Sequence, residues 1–189
     1  MILTNTRLIT ALLLAIFTFV APANADDRPF HIAANVGQSL LDDVDGIRID
    51  DSATAYRFDT GYRFSDWFGI DAAYVNMGTL DADVEIQPGT TSLFEASVDG
   101  FELGLVGRIP LGDKFAVFGR ISNYWWSGDV TIDGVESSES GNDVSYGIGA
   151  EFAINPSLVL TADWRRYTLD DVDIDAAMLG LVLRFGEAN

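Results

Sequence analysis

The chain has 189 residues, no cysteine, one histidine, and 29 acidic against 11 basic side chains, a net charge of −18 at pH 7. So acidic a protein repels nucleic-acid phosphates, which excludes nucleic acid as a partner. The absence of cysteine excludes disulfides and thiolate chemistry, and the length suits one domain of ordinary size.

Residues 1–25 read as a cleaved signal peptide. Arg7 supplies the positive leader, Leu8 to Ala21 the apolar segment, and Ala23-Asn24-Ala25 the small-residue cleavage site. A membrane anchor is the alternative. The apolar run is short for one, and the cleavage site follows it directly. The mature domain is then 26–189. Loss of Arg7, the only charge in the leader, takes the net charge from −18 to −19. After Ala25 no apolar run approaches the ~20 residues of a membrane helix. If this chain enters a membrane, it does so with strands.

From residue 30 onward apolar and polar residues alternate with period two, the strand signal. Eight strands are expected near Phe30–Leu40, Ala53–Phe64, Trp67–Met77, Leu93–Ile109, Lys114–Trp126, Asp143–Ile154, Ser157–Leu169 and Ile174–Phe185. Three connections are tight turns, at Ser65-Asp66, Pro110 to Asp113 and Asn155-Pro156. Four are longer or more polar, over 41–51, 78–92, 127–142 and 170–173. The two kinds alternate, and an even number of strands returns both termini to the short-turn side.

One face of these strands is bulky and uncharged. It carries Phe101, Leu103, Leu105 and Ile109 in the fourth strand. In the sixth it carries Tyr146, Ile148, Phe152 and Ile154, and in the eighth Leu179, Leu181, Leu183 and Phe185. The other face mixes Gly, Ala and Ser with charged groups; Phe118 and Tyr124 are exceptions. A soluble lipocalin-like barrel would turn the apolar face inward. The interior of an eight-stranded barrel is only just wide enough for its side chains, and large residues at nearly every position would overfill it. The bulky face therefore points outward, into lipid. The fold class expected is all-β: an eight-stranded antiparallel up-and-down transmembrane β-barrel. Aromatics gather at both strand ends, Tyr62, Trp67, Phe68, Phe115 and Phe185 by the tight turns and Tyr74, Trp125 and Trp164 toward the loops, as two interfacial girdles would. The lumen then holds a charge network of Arg57, Asp59, Asp71, Glu102, Arg120, Glu151, Asp163, Arg165 and Arg184, with Arg63 and Arg108 on the same face. Burying acids there requires partners of both signs. Glu151 and Asp163 are expected to meet Arg120, Arg165 and Arg184.

Over Phe30 to Gly186 the chain resembles the transmembrane barrel domain of the outer membrane protein A (OmpA) family. The stretches that carry the resemblance are TGYRFSDWFGIDAAYVNMG (60–78), FELGLVGRIPLGDKFAVFGRISNYWW (101–126), YGIGAEFAINPSLVLTADW (146–164) and MLGLVLRFG (178–186). It implies a barrel in a Gram-negative outer membrane, inserted by the barrel-assembly machinery with Phe185 contributing to the signal. It also implies an interior acid–base cluster that blocks or gates the lumen. Two family acids fall on Asp71 and Glu151, and an interior arginine on Arg120. Val106 and Thr161 stand where the family has a lysine and an arginine, so the ion pairs must be rewired, with Arg165 and Arg57 as the replacements. The family's peptidoglycan-binding domain has no counterpart in these residues.

No catalytic, cofactor-binding or metal site is expected. A lipid-modifying enzyme needs a nucleophile and a base near the interface. The one histidine, His31, falls at the start of the first strand and reads as a polar residue at the barrel base, and no G-x-S-x-G elbow occurs. The acids at Asp42, Asp43, Asp45, Asp50 and Asp51 do not meet the EF-hand pattern and read as a solvated loop. The expected function is a structural, surface-exposed barrel with a salt-bridged, largely plugged lumen. A small low-conductance channel is the alternative, and a lipid-modifying enzyme is disfavoured. The expected partners are outer-membrane lipid and lipopolysaccharide, the assembly machinery and a surface ligand at the acidic loops.

Overall fold

A computed structural model of the chain describes residues 28–41, 52–87, 90–132, 135–169 and 172–186. For residues 41, 80–87, 90–95, 132, 135 and 172 it describes the backbone. The expected signal peptide at 1–25 and the acidic loop from Asp42 to Asp51 lie outside the described residues.

Eight strands close into one barrel in chain order: β1 (Phe30–Leu41), β2 (Ser52–Arg63), β3 (Phe68–Gln87), β4 (Thr90–Pro110), β5 (Phe115–Ile132), β6 (Val135–Asn155), β7 (Leu158–Leu169) and β8 (Val172–Phe185). Every neighbouring pair is antiparallel, and β8 closes on β1 through Phe30 opposite Phe185 and His31 opposite Arg184. Closure gives every strand of the barrel a hydrogen-bonded neighbour on both sides and leaves no edge there.

The alternation in the sequence becomes the two faces of the wall. Ile148 and Leu179, each 67% exposed, point outward, while Arg57, Tyr124 and Arg165 on the opposite parity are buried. The expected girdle residues Tyr62, Trp67, Phe68, Phe115, Trp125, Trp164 and Phe185 are all exposed on the outer face. Tyr74 is half-buried, its ring tilted against Phe101 at 5.4 Å between ring centroids.

The tight turns fall where the sequence places them. Asn155 accepts hydrogen bonds from the Ser157 and Leu158 amides through its side chain, at 2.9 Å each. This is the local bonding that makes Asn a turn residue. Gly112, with φ +94°, supplies the left-handed residue of the Pro110–Asp113 turn.

Three connections differ from expectation. Residues 78–92 and 127–142, expected as loops, are mostly strand: β3 and β4 pair out to Gln87 and Thr90, and β5 and β6 out to Ile132 and Val135. Val172 and Asp173 likewise belong to β8. The four strands β3–β6 therefore run 18 to 21 residues against 12 to 14 for the other four, and a sheet stands above one side of the barrel. The point where β3 leaves the wall is marked by Gly78, at φ +81° beside a register shift between Asn76 and Thr79. The Gly78 amide donates to the Asn76 side chain at 2.9 Å. The many acids of these hairpins imitate a loop, although Leu80, Ala82, Val84 and Ile86 keep the strand alternation against Asp81, Asp83 and Glu85.

Candidate functional site: the barrel lumen

The lumen has two storeys. The storey at the tight-turn end is ionic. Arg57 on β2 donates through Nε to Asp59 at 2.9 Å, and through Nη1 and Nη2 to Asp163 on β7 at 3.0 and 2.9 Å. Asp59 also accepts from Arg120 on β5 at 3.2 Å and from Asn35 on β1 at 2.5 Å. Arg120 then reaches Asp71 on β3 at 2.7 Å, and His31 Nε2 lies 3.3 Å from the other oxygen of Asp71. The result is one ribbon, His31–Asp71–Arg120–Asp59–Arg57–Asp163, that crosses the lumen. Nearer the mouth Glu151 accepts from Arg108 at 2.8 Å and from Arg184 at 2.6 Å. Deeper, Glu102 pairs with Arg165 and accepts from the Ser145 hydroxyl at 3.1 Å.

All nine network residues expected from the sequence thus line the lumen. Their pairing is the expected one only in part: Glu151 does meet Arg184. Asp163 meets Arg57, and Glu151 meets Arg184 and Arg108; Arg120 and Arg165 serve Asp59, Asp71 and Glu102 instead. The rewiring anticipated around Val106 and Thr161 therefore reaches Glu151 through Arg108 and Arg184, with Arg57 and Arg165 occupied higher up. Strand stagger is the reason: a side chain meets the lumen residue at its own height, not the one at its sequence offset. Asn35 was missed, although its parity with His31 and Ser39 in β1 marks it as inward. His31 sits at the barrel base as expected, with the Asp71 contact added.

The storey toward the long hairpins is apolar. Val75, Met77, Tyr124, Trp126, Tyr167, Leu169, Ile174, Ala176 and Met178 pack into one buried cluster. The Tyr124 and Tyr167 rings meet edge-to-face at 5.0 Å, although β6 separates their strands in the wall. Glycines make the room. A Cβ on Gly141 would come within 2.6 to 2.7 Å of the Trp126 indole, and that indole donates to Asp143 at 2.7 Å. In the sequence this face mixes small residues with charges, and Tyr124 is one of its two exceptions, with Phe118. The structure makes Tyr124 part of a second core.

A closed eight-stranded barrel with a lipid-type outer face and an ionic interior defines an integral barrel protein of the outer membrane. The sequence matches the family described as the outer membrane protein beta-barrel domain over residues 9–185, and the chain belongs to that family. Among curated proteins, none matches the sequence. Solved structures share the fold. Ail, the attachment invasion locus protein of Yersinia pestis, is 21% identical with a TM-score of 0.62, over 84% of this chain and 99% of that one. Neisserial surface protein A is 17% identical with a TM-score of 0.58, over 82% and 97%. OprG from Pseudomonas aeruginosa is 13% identical with a TM-score of 0.56, over 87% and 99%.

Proposed function

We propose that this chain is a structural, surface-exposed barrel of the outer membrane, closed to permeation and without catalytic activity. The carrying observation is that the lumen is filled across its width: Asp59, Asp71, Glu102, Glu151 and Asp163 each contact at least one arginine, and Tyr124, Tyr167 and Val75 beyond them are fully buried. Paired charges on opposite walls tie the barrel across its width, and removing one partner strands the other. The leader at 1–25 exports the chain, and the assembly machinery inserts it. Outer-membrane lipid and lipopolysaccharide surround the apolar band. The projecting β3–β6 hairpins are the part offered to surface partners. Their acids, with those of the loop at 41–51, share divalent cations with lipopolysaccharide phosphates. Calcium titration of the refolded barrel by calorimetry checks this; no heat at millimolar cation removes it.

A cavity of about 50 Å³ in the ionic storey, lined by His31, Arg57, Arg120, Glu151 and Arg184 among others, favours the second reading, a narrow ion path. Planar-bilayer recording of the refolded mature protein separates the two. Silence supports the closed barrel, and discrete small openings establish the channel.

A further inference from the structure

The cavity and the apolar cluster occupy different heights. The cavity reaches from the mouth at His31, Arg63 and Ser65 up to Asn35, Arg57, Thr161 and Asp163. Its volume, about 50 Å³, is room for roughly three or four waters. Above Arg57 the lining changes: Nη1 of Arg57 lies 3.7 Å from the Met178 sulfur, and beyond that contact the Arg165–Glu102 pair, which does not line the cavity, is buried against Tyr167, where Tyr124, Tyr167 and Val75 show no exposure at all. Resting on the closed-barrel reading, we infer that the lumen is a blind well. Water and small ions enter from the tight-turn, periplasmic end as far as Arg57 and Asp163. A septum of Tyr124, Tyr167, Trp126, Met77, Met178 and Ile174 closes the well toward the cell exterior.

The septum, and not the ion-pair network, is then the barrier. The ion pairs tie the walls together, but the cavity beside them is a water-sized space that they do not fill. A packed apolar layer holds no water for an ion to travel in and blocks passage by staying dry. The edge-to-face tyrosines make this layer continuous from β5 to β7. Glycines such as Gly100 and Gly141 stand across from the bulky groups of this layer and leave room for them.

Two measurements test the inference. In planar bilayers the double variant Tyr124→Ser/Tyr167→Ser is expected to show channel events, while the unaltered protein and Arg120→Ala stay silent. Openings from Arg120→Ala with none from the tyrosine variant overturn the septum, and so does silence from both. Openings from the unaltered protein instead sink the closed-barrel reading on which the inference rests. The second measurement does not require the septum to be disrupted. The chain has no cysteine, so a single introduced thiol is unambiguous. Ala33 lines the cavity and Ala176 lies in the apolar cluster. In nanodiscs Ag⁺ is expected to bind Ala33→Cys and to leave Ala176→Cys free over the same interval, read by mass spectrometry. Equal binding at both positions, or none at Ala33→Cys, overturns the well.

Discussion

Arg57 is the residue on which the ionic storey turns. It is 1% exposed and holds two carboxylates from different walls at once. An arginine suits the position because its planar fork satisfies Asp163 through two donors while Nε remains for Asp59. Arg57→Met leaves both acids in a low-dielectric interior without their principal cation. It is expected to lower the unfolding free energy by about 3–5 kcal/mol. Glu151→Gln is expected to cost less, about 1–2 kcal/mol. Its side chain is 15% exposed, its charge is partly screened by water, and the amide oxygen still accepts from a guanidinium. Urea unfolding of the refolded barrel, followed by tryptophan fluorescence, gives both numbers. Equal losses would show that depth in the lumen does not set the strength of these pairs.

At the scale of the element, the faces of the strands were legible in the sequence and their ends were not. Leu179, Leu181 and Leu183 could only be lipid-facing once the narrow interior was considered, and the structure places them so. The hairpins past Gly78 and Trp126 were legible in part: Leu80, Ala82, Val84 and Ile86 alternate with Asp81, Asp83 and Glu85, and Val130 and Ile132 with Asp129 and Thr131, and only the polar run from Glu136 to Asn142 lacks the period-two signal. The partners of Asp163 and Glu151 were illegible for another reason: cross-lumen contacts depend on stagger, which no single strand encodes. The septum was half legible, since Tyr124 broke the small-residue pattern while its purpose needed Tyr167 beside it.

The projecting sheet suggests two further outcomes. Gly141→Leu drives a side chain into the Trp126 indole and is expected to cost about 1–3 kcal/mol. Hydrogen exchange should rise in residues 135–143 and stay unchanged in β1, β2 and β8; a barrel-wide rise would show that the sheet and barrel unfold as one unit. Replacing residues 129–138 with Asn-Gly closes the β5–β6 hairpin at Gly128 opposite Glu139. The removed segment lies above the barrel, so heat-modifiable gel mobility is expected to survive. Its loss would make the projecting sheet part of the folding core.

The whole molecule separates its charges by address. Of its 11 basic residues, Arg57, Arg63, Arg108, Arg120, Arg165 and Arg184 face the lumen, where they neutralise acids that lipid could not tolerate. Arg166, on the outer face, is held by Asp175 at 2.7 Å and stacks over Trp164 at 5.7 Å, which places it at the rim of the apolar band and not within it. This arrangement fixes the height of the barrel in the bilayer, and a charge introduced on the outer face reads that height directly. Leu179, midway along β8, is 67% exposed, and Leu111, in a tight turn, is 58% exposed. Simple exposure predicts similar costs for arginine at the two sites; a membrane predicts a large difference. Leu179→Arg is expected to lower the folding free energy in lipid vesicles by about 2–4 kcal/mol and Leu111→Arg by about 0–1 kcal/mol. Neither variant touches a lumen contact, so the difference isolates depth in the hydrocarbon. Matching costs would mean that the band carrying Leu179 does not sit at the bilayer centre, and the orientation of the barrel, with its well toward the periplasm, would have to be redrawn.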